Sequence, residues 1–209
     1  LHLSIRRQRQ MCIRDSFYAS DGYGNSHIHC FDSLGNLRFS WGGNGRAPGQ
    51  FDTIHSVYVD IEDEDKIYAT DRYNNRVQIF TRKGEFIDQW VGFNLPNAIR
   101  KGPDGNFYVA ELDHRISVVN GAGRVLTRWG HGGLELDDSE TGSGLPDSPS
   151  RNPMIRGKVK HEPGPGLFGA PHGIAVDSNG SFYVAEVCET FLGFDRGDRS
   201  IQKFRPVSK

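Results

Sequence analysis

One phrase of roughly 40 residues recurs along this chain, and a repeat of that length constrains the fold more than any single motif. It opens with an aromatic-Tyr or Ile-Tyr pair, a small residue and an acidic residue. An alternating strand and a Gly turn follow, then another strand that ends at Trp. The copies read FYASDGYGNSHIHCFDSLGNLRFSWG from Phe17, IYATDRYNNRVQIFTRKGEFIDQWVG from Ile67 and FYVAELDHRISVVNGAGRVLTRWGHG from Phe107. A fourth begins with FYVAEV at Phe182 and closes with RSIQKF at Arg199. The tyrosines at positions 18, 68, 108 and 183 are spaced by 50, 40 and 75 residues, so a base unit near 40 carries insertions.

Within each copy the apolar residues alternate. Val77 and Ile79, then Ile116 and Val118, are separated by polar neighbours, the period of two that half-buried antiparallel strands require. Leu34-Gly35-Asn36, Lys83-Gly84, Asp104-Gly105-Asn106 and Ser178-Asn179-Gly180 put Gly or Asn where a tight turn needs positive φ. A further short strand precedes three copies: HSVYVD from His55, NAIRKG from Asn97 and HGIAVD from His172. Four short strands per unit, with no helical period, predict an all-β chain with one propeller blade per repeat. Trp41, Trp90 and Trp129 share one repeat position and read as packing residues.

Composition narrows the function classes. The 209 residues carry 25 Lys and Arg against 26 Asp and Glu, a net charge of −1, with 26 Gly and 10 Pro. That balance offers no basic patch for nucleic acid. No apolar run approaches the roughly 18 residues of a membrane span. Three cysteines, Cys12, Cys30 and Cys188, are too few and too scattered for a disulfide scaffold or a cysteine zinc site. Cys30 and Cys188 read as free, buried residues.

Two segments depart from the repeat. Residues 1–16, LHLSIRRQRQMCIRDS, show neither alternation nor turn chemistry and lack the apolar core of a signal peptide. They resemble translated adapter sequence and are set apart as non-native. Residues 17–209, with 21 basic and 25 acidic side chains, form the repeat region and have a net charge of −4. Residues 132–166, rich in Gly, Pro, Ser and charge, read as a long loop between blades, either a flap over one face or a solvated insertion.

PHGIAVDSNGSFYVAE and IYATDRYNNRVQIF resemble the NHL-repeat family of β-propellers, and the resemblance runs through nearly all of residues 17–209. It implies an incomplete ring of about four blades from a six-bladed propeller. The inner faces and edges of its terminal blades would then be open to association.

Chemistry concentrates at the start of the blades. His55 in IHSV and His172 in PHGI hold one equivalent position in two repeats, at the beginning of the innermost strand, and both should face the channel. Imidazoles converging from separate blades suit zinc. Asn97 takes the same place in the intervening repeat, so a third ligand must come from outside this chain or from water. His27, His29, His114, His131 and His161 lack such symmetry and read as surface or packing residues.

SDGYGNSHIHCF, TIHSVYVD, APHGIAVD and YATDRYNNRVQIF are similar to segments of the peptidyl-α-hydroxyglycine α-amidating lyases and their bacterial relatives. That resemblance implies Tyr23 as catalytic base, His55 and His172 as zinc ligands, and Arg72 as the clamp for a substrate carboxylate. A peptide substrate would then bind at the central channel, and export or a periplasmic location would follow. Ala170, Gly173 and Gly24 stand where those lyases have a methionine, an acidic calcium-site residue and a disulfide cysteine, so the resemblance does not extend to calcium or the disulfide. Plain alternatives remain beside these roles: Tyr23 as a turn aromatic, Arg72 paired with a neighbouring Asp, and the whole as a non-enzymatic propeller that binds a protein, peptide or glycan.

Overall fold

The computed structural model describes residues 16–63, 66–130, 164–193 and 195–206. Fourteen strands in these residues form four antiparallel meanders. The first contains β1 (Ser16–Asp21), β2 (His27–Asp32) and β3 (Leu37–Gly42). The second contains β4 (Ile54–Asp60), β5 (Lys66–Asp71), β6 (Arg76–Phe80) and β7 (Phe86–Val91). β8 (Pro96–Lys101), β9 (Phe107–Glu111), β10 (Arg115–Val119) and β11 (Val125–Trp129) form the third. β12 (Pro171–Val176), β13 (Phe182–Glu186) and β14 (Ile201–Phe204) form the fourth. The expected all-β, blade-by-blade architecture is the one observed.

The predicted turns close these hairpins, with Gly35, Gly84, Gly105 and Gly180 at φ of 86°, 81°, 77° and 78°. Ser16 pairs with Asp32 in β1, so the first sheet starts inside the segment set apart by sequence. The rest of that segment, residues 1–15, lies outside the described residues, as does the 132–166 insertion up to residue 163. No helix among the described residues is long and apolar enough to cross a membrane.

Apolar cores fill the wedges between blades. Tyr68, Val77, Ile79 and Trp90 of the second sheet pack on Ile99, Phe107, Val109 and Val119 of the third. Ile116 and Val118 of the third meet Ile174, Phe182 and Val184 of the fourth. The middle strands β5 and β9 are buried on both faces, since each faces a core on either side.

The recurring tryptophan seals these wedges at the rim. A Cβ built on Gly84 would lie 2.6 Å from the Trp41 ring, and one on Gly123 would lie 2.2 Å from Trp90. Each indole therefore lies under a turn of the following blade, where only a glycine leaves room.

The fourth blade differs from the sequence expectation of strands alone. Between β13 and β14 the chain makes a one-turn helix α1 (Cys188–Leu192) and a 3-10 turn (Gly197–Ser200). Five helical residues are too few to show a period. Gly193, in the left-handed conformation at φ 75°, ends the helix.

Candidate functional site

The innermost strands β4, β8 and β12 lie side by side, with β8 in contact with both others. Each carries an irregularity at the same place. The register with the neighbouring strand shifts between Ile54 and Ser56, between Pro96 and Ala98, and between Pro171 and Gly173. The extra residues are His55, Asn97 and His172. A bulge turns a side chain away from the pleat, and here it does so at one level in three consecutive blades.

A repeated polar anchor holds each bulge. The acidic residue that closes the second strand of each blade, Asp71, Glu111 or Glu186, is buried. Each accepts a backbone N–H three residues ahead of the bulge: Asp52 N–H to Asp71 at 2.8 Å, Asn94 N–H to Glu111, and Gly169 N–H to Glu186 at 2.7 Å. An arginine neutralises each carboxylate. Arg76 Nε donates to Asp71 at 2.7 Å, Arg115 Nη2 to Glu111 at 2.7 Å, and Arg196 pairs with Glu186. Burial pushes the Asp71 carboxyl above its ordinary range, while bonds from Asn74, Asp52 N–H and Arg76 act in the opposite direction.

The backbone entering two of these bulges is strained. Thr53 and Leu95, two residues before His55 and Asn97, have φ of 63° and 52°. Left-handed backbone is unfavourable for a β-branched residue such as Thr. It is held here because the Thr53 carbonyl accepts Arg72 N–H at 3.0 Å and the Leu95 carbonyl accepts Leu112 N–H at 2.9 Å.

These constraints bring the four sequence-predicted residues into one cluster. The His55 and His172 rings meet edge to face with centroids 4.4 Å apart. The Tyr23 ring lies 6.1 Å from that of His55. The Arg72 guanidinium is 5.5 Å from the Tyr23 centroid and 5.9 Å from that of Tyr73. Tyr23 is 72% exposed, whereas Arg72 is 0% exposed. A phenol facing solvent thus covers a buried cation.

Arg72 is not paired with a neighbouring Asp, the simple alternative for this position. Asp71 is taken by Arg76, and Nε, Nη1 and Nη2 of Arg72 have no hydrogen-bond partner. An unpaired guanidinium in the interior is expensive unless something occupies its fork. Its charge also reaches His172, whose imidazole is held below its ordinary value, first by burial and then by repulsion from Arg72.

One ring nitrogen of His55 is already engaged. His55 Nδ1–H donates to the Asn97 carbonyl at 2.9 Å, which leaves the Nε2 lone pair free, the usual second-shell arrangement for a metal-binding histidine. Two imidazoles on one tetrahedral zinc, with nitrogens at about 2.0–2.1 Å, have centroids roughly 5 Å apart, close to the 4.4 Å seen here. Among the described residues no group of three or more His, Cys, Asp and Glu side chains is placed to hold a metal. Within those residues His55 and His172 are the side chains that could each lend a nitrogen to such an ion.

Sequence reasoning placed Asn97 level with the two histidines but missed its contact with His55, and it missed Thr70 altogether. Thr70 Oγ1–H donates to the same Asn97 carbonyl at 3.1 Å. The equivalence of Asn97 with the two histidines was the available signal. His114 stands apart from the cluster, its Nδ1 bonded to the Gly169 carbonyl, while His131 and His161 lie outside the described residues.

The family model described as NHL repeat matches residues 168–191, the segment that carries His172. Peptidyl-glycine alpha-amidating monooxygenase B of Xenopus laevis is 39% identical over 82 residues, covering 37% of this chain and 9% of that protein. NHL repeat-containing protein 3 of Homo sapiens is 32% identical over 127 residues, 56% of this chain and 36% of its own length. The Caenorhabditis elegans protein named "Probable peptidyl-alpha-hydroxyglycine alpha-amidating lyase pgal-1" is 30% identical over 106 residues, 50% of this chain and 30% of that one. The chain thus spans little more than a third of these relatives at most. Among solved structures, the WD40 β-propeller domain of Doa1 superimposes with a TM-score of 0.53 at 11% identity, covering 83% of this chain and 44% of that domain. That likeness concerns the fold alone. The chain thus carries an NHL repeat on a β-propeller framework, and its sequence is similar both to amidating lyases and to NHL repeat-containing protein 3.

Proposed function

We propose that this chain supplies part of the site of a zinc-dependent lyase that cleaves peptidyl-α-hydroxyglycine into a peptide amide and glyoxylate. The observation that carries this reading is Arg72, a buried cation with three open nitrogens beside two imidazoles and a phenol. A substrate that presents a carboxylate next to a hydroxyl matches that arrangement.

His55 and His172 would hold the metal through their free nitrogens, with the remaining positions filled from outside these two side chains. When bound, zinc supplies Lewis acidity toward the substrate hydroxyl. Arg72 binds the carboxylate through two parallel N–H bonds and fixes the carbon that bears the hydroxyl. Tyr23, acting as the phenolate, accepts the hydroxyl proton. The released O–H electron pair becomes the aldehyde π bond as the C–N bond breaks. The leaving amide nitrogen takes that proton from the Tyr23 phenol, which restores the phenolate and balances the reaction without a co-reactant.

The test is release of glyoxylate from a peptidyl-α-hydroxyglycine by the zinc-loaded protein, with Tyr23→Phe as the variant. Glyoxylate and amide in equal amounts, with the rate lost in Tyr23→Phe, support the lyase. A second reading, a propeller that binds peptide carboxylates without turnover, is favoured by the lack, among the described residues, of a group of three or more metal-binding side chains and by the similarity to NHL repeat-containing protein 3. Peptide binding that depends on Arg72, with no glyoxylate formed, selects it.

A further inference from the structure

Asn97 lies on β8, between the strands that carry the two histidines, and is fully buried. Its backbone carbonyl accepts from His55 Nδ1–H at 2.9 Å. Its side-chain Nδ2–H donates to the carbonyl of Pro171 at 3.3 Å, the residue immediately before His172. One residue thus holds one imidazole by its main chain and the strand of the other by its side chain. Its Oδ1 has no partner and is buried, a penalty that an apolar residue of similar size would avoid. The amide is therefore explained by what its N–H groups hold.

We infer that Asn97 is the positioning residue of this site, coupling the two imidazoles so that both nitrogens face one ligand. The role rests on the reading of His55 and His172 as a shared ligand pair. The division of labour between main chain and side chain is the distinctive feature. The His55 contact does not depend on the Asn97 side chain, whereas the constraint at His172 does. Asn97→Asp preserves the shape and removes the donor, and Asn97→Ala removes both.

The experiment uses the metal-free chain with 15N-labelled histidine and asparagine, observed by NMR, followed by titration with zinc alone. In the wild type, His55 is expected as the Nδ1–H tautomer, the His55 and His172 ring protons show a mutual NOE, and the Asn97 side-chain amide exchanges slowly. In Asn97→Asp at pH 8 and in Asn97→Ala, the His55 tautomer persists, the inter-ring NOE is lost, and the Kd for zinc rises about 10–100-fold. An unchanged NOE and unchanged zinc affinity in both variants would overturn the inference. The wild-type spectrum decides the point even if neither variant folds, because an Nε2–H tautomer at His55 or a rapidly exchanging Asn97 amide contradicts the contacts on which it stands. If the NMR results appear as expected but zinc does not bind the wild type, the positioning role stands and the zinc reading fails.

Discussion

The Arg72 guanidinium sits 5.5 Å from the centre of the Tyr23 ring, with Nε, Nη1 and Nη2 all unpartnered and the side chain fully buried. Contacts with the Tyr23 and Tyr73 rings offset part of the desolvation, each worth about 0.5–2 kcal/mol. They leave the hydrogen-bonding fork empty. Replacing an unpaired buried charge by an apolar side chain of similar size removes its desolvation penalty. Arg72→Met is therefore expected to leave the unfolding free energy unchanged or raised, while removing binding of small carboxylates such as glyoxylate. Denaturant unfolding and calorimetric titration of the same variant check the two halves. A clear loss of stability would mean that the guanidinium is structurally paired after all.

His172 links this cation to pH. Burial and Arg72 both lower its pKa from the ordinary value of 6.5. A depressed folded value means that the unfolded chain takes up the proton first as pH falls. The stability linked to His172 is complete above 6.5 and is lost as pH falls from there through the folded value. NMR titration should place the His172 midpoint below 6.5, and Arg72→Met should raise it. A midpoint at or above 6.5 in the wild type would refute this electrostatic picture.

At the rim, Gly123 combines a φ of 75° with contact to Trp90. In Gly123→Ala, left-handed backbone costs about 1–2 kcal/mol and crowding against the indole about 1–3 kcal/mol. A loss of about 2–5 kcal/mol is expected from urea unfolding. Gly35 has a similar φ of 86° but nothing near its Cβ direction, so Gly35→Ala should show only the backbone part.

Glu186 and Arg196 are both fully buried and paired. Glu186→Gln keeps an acceptor for Gly169 N–H but removes the carboxylate charge facing Arg196, and removing one partner of such a pair costs about 3–5 kcal/mol. The same change should loosen the bulge at His172. Chemical denaturation measures the first effect, and the His172 NMR linewidth the second.

Much of this was legible in the sequence, and the reasons lie in particular residues. The Phe-Tyr pairs, alternating valines and isoleucines and glycine turns are local signals, and they predict the strands because burial on a blade requires that alternation. His55 and His172 were visible as a pair because repeats place equivalent positions at equivalent heights. The bulges that aim them were not visible, since a register shift depends on the partner strand. The roles of Arg72 and Arg76 could not be told apart either. Both lie within five residues of Asp71, and only the fold shows that Arg76 takes the carboxylate. In the fourth blade the equivalent arginine, Arg196, arrives after a one-turn helix, ten residues beyond Glu186. No fixed spacing could have identified it.

Cys188 provides a chemical check on that blade. Burial, followed by the nearby Glu186 charge, pushes its thiol up to about 12, so little thiolate is available at neutral pH. Iodoacetamide at pH 7.5 should leave Cys188 unmodified in the folded protein and label it after denaturation, as read by peptide mass mapping.

Calorimetric titration of the metal-free chain with zinc bears most directly on the site as a whole. One zinc per chain is expected, with binding weakened in both His55→Ala and His172→Ala while the fold is retained. Binding of equal strength in the wild type and both variants, or no binding in a folded wild type, would contradict a metal shared between the two imidazoles.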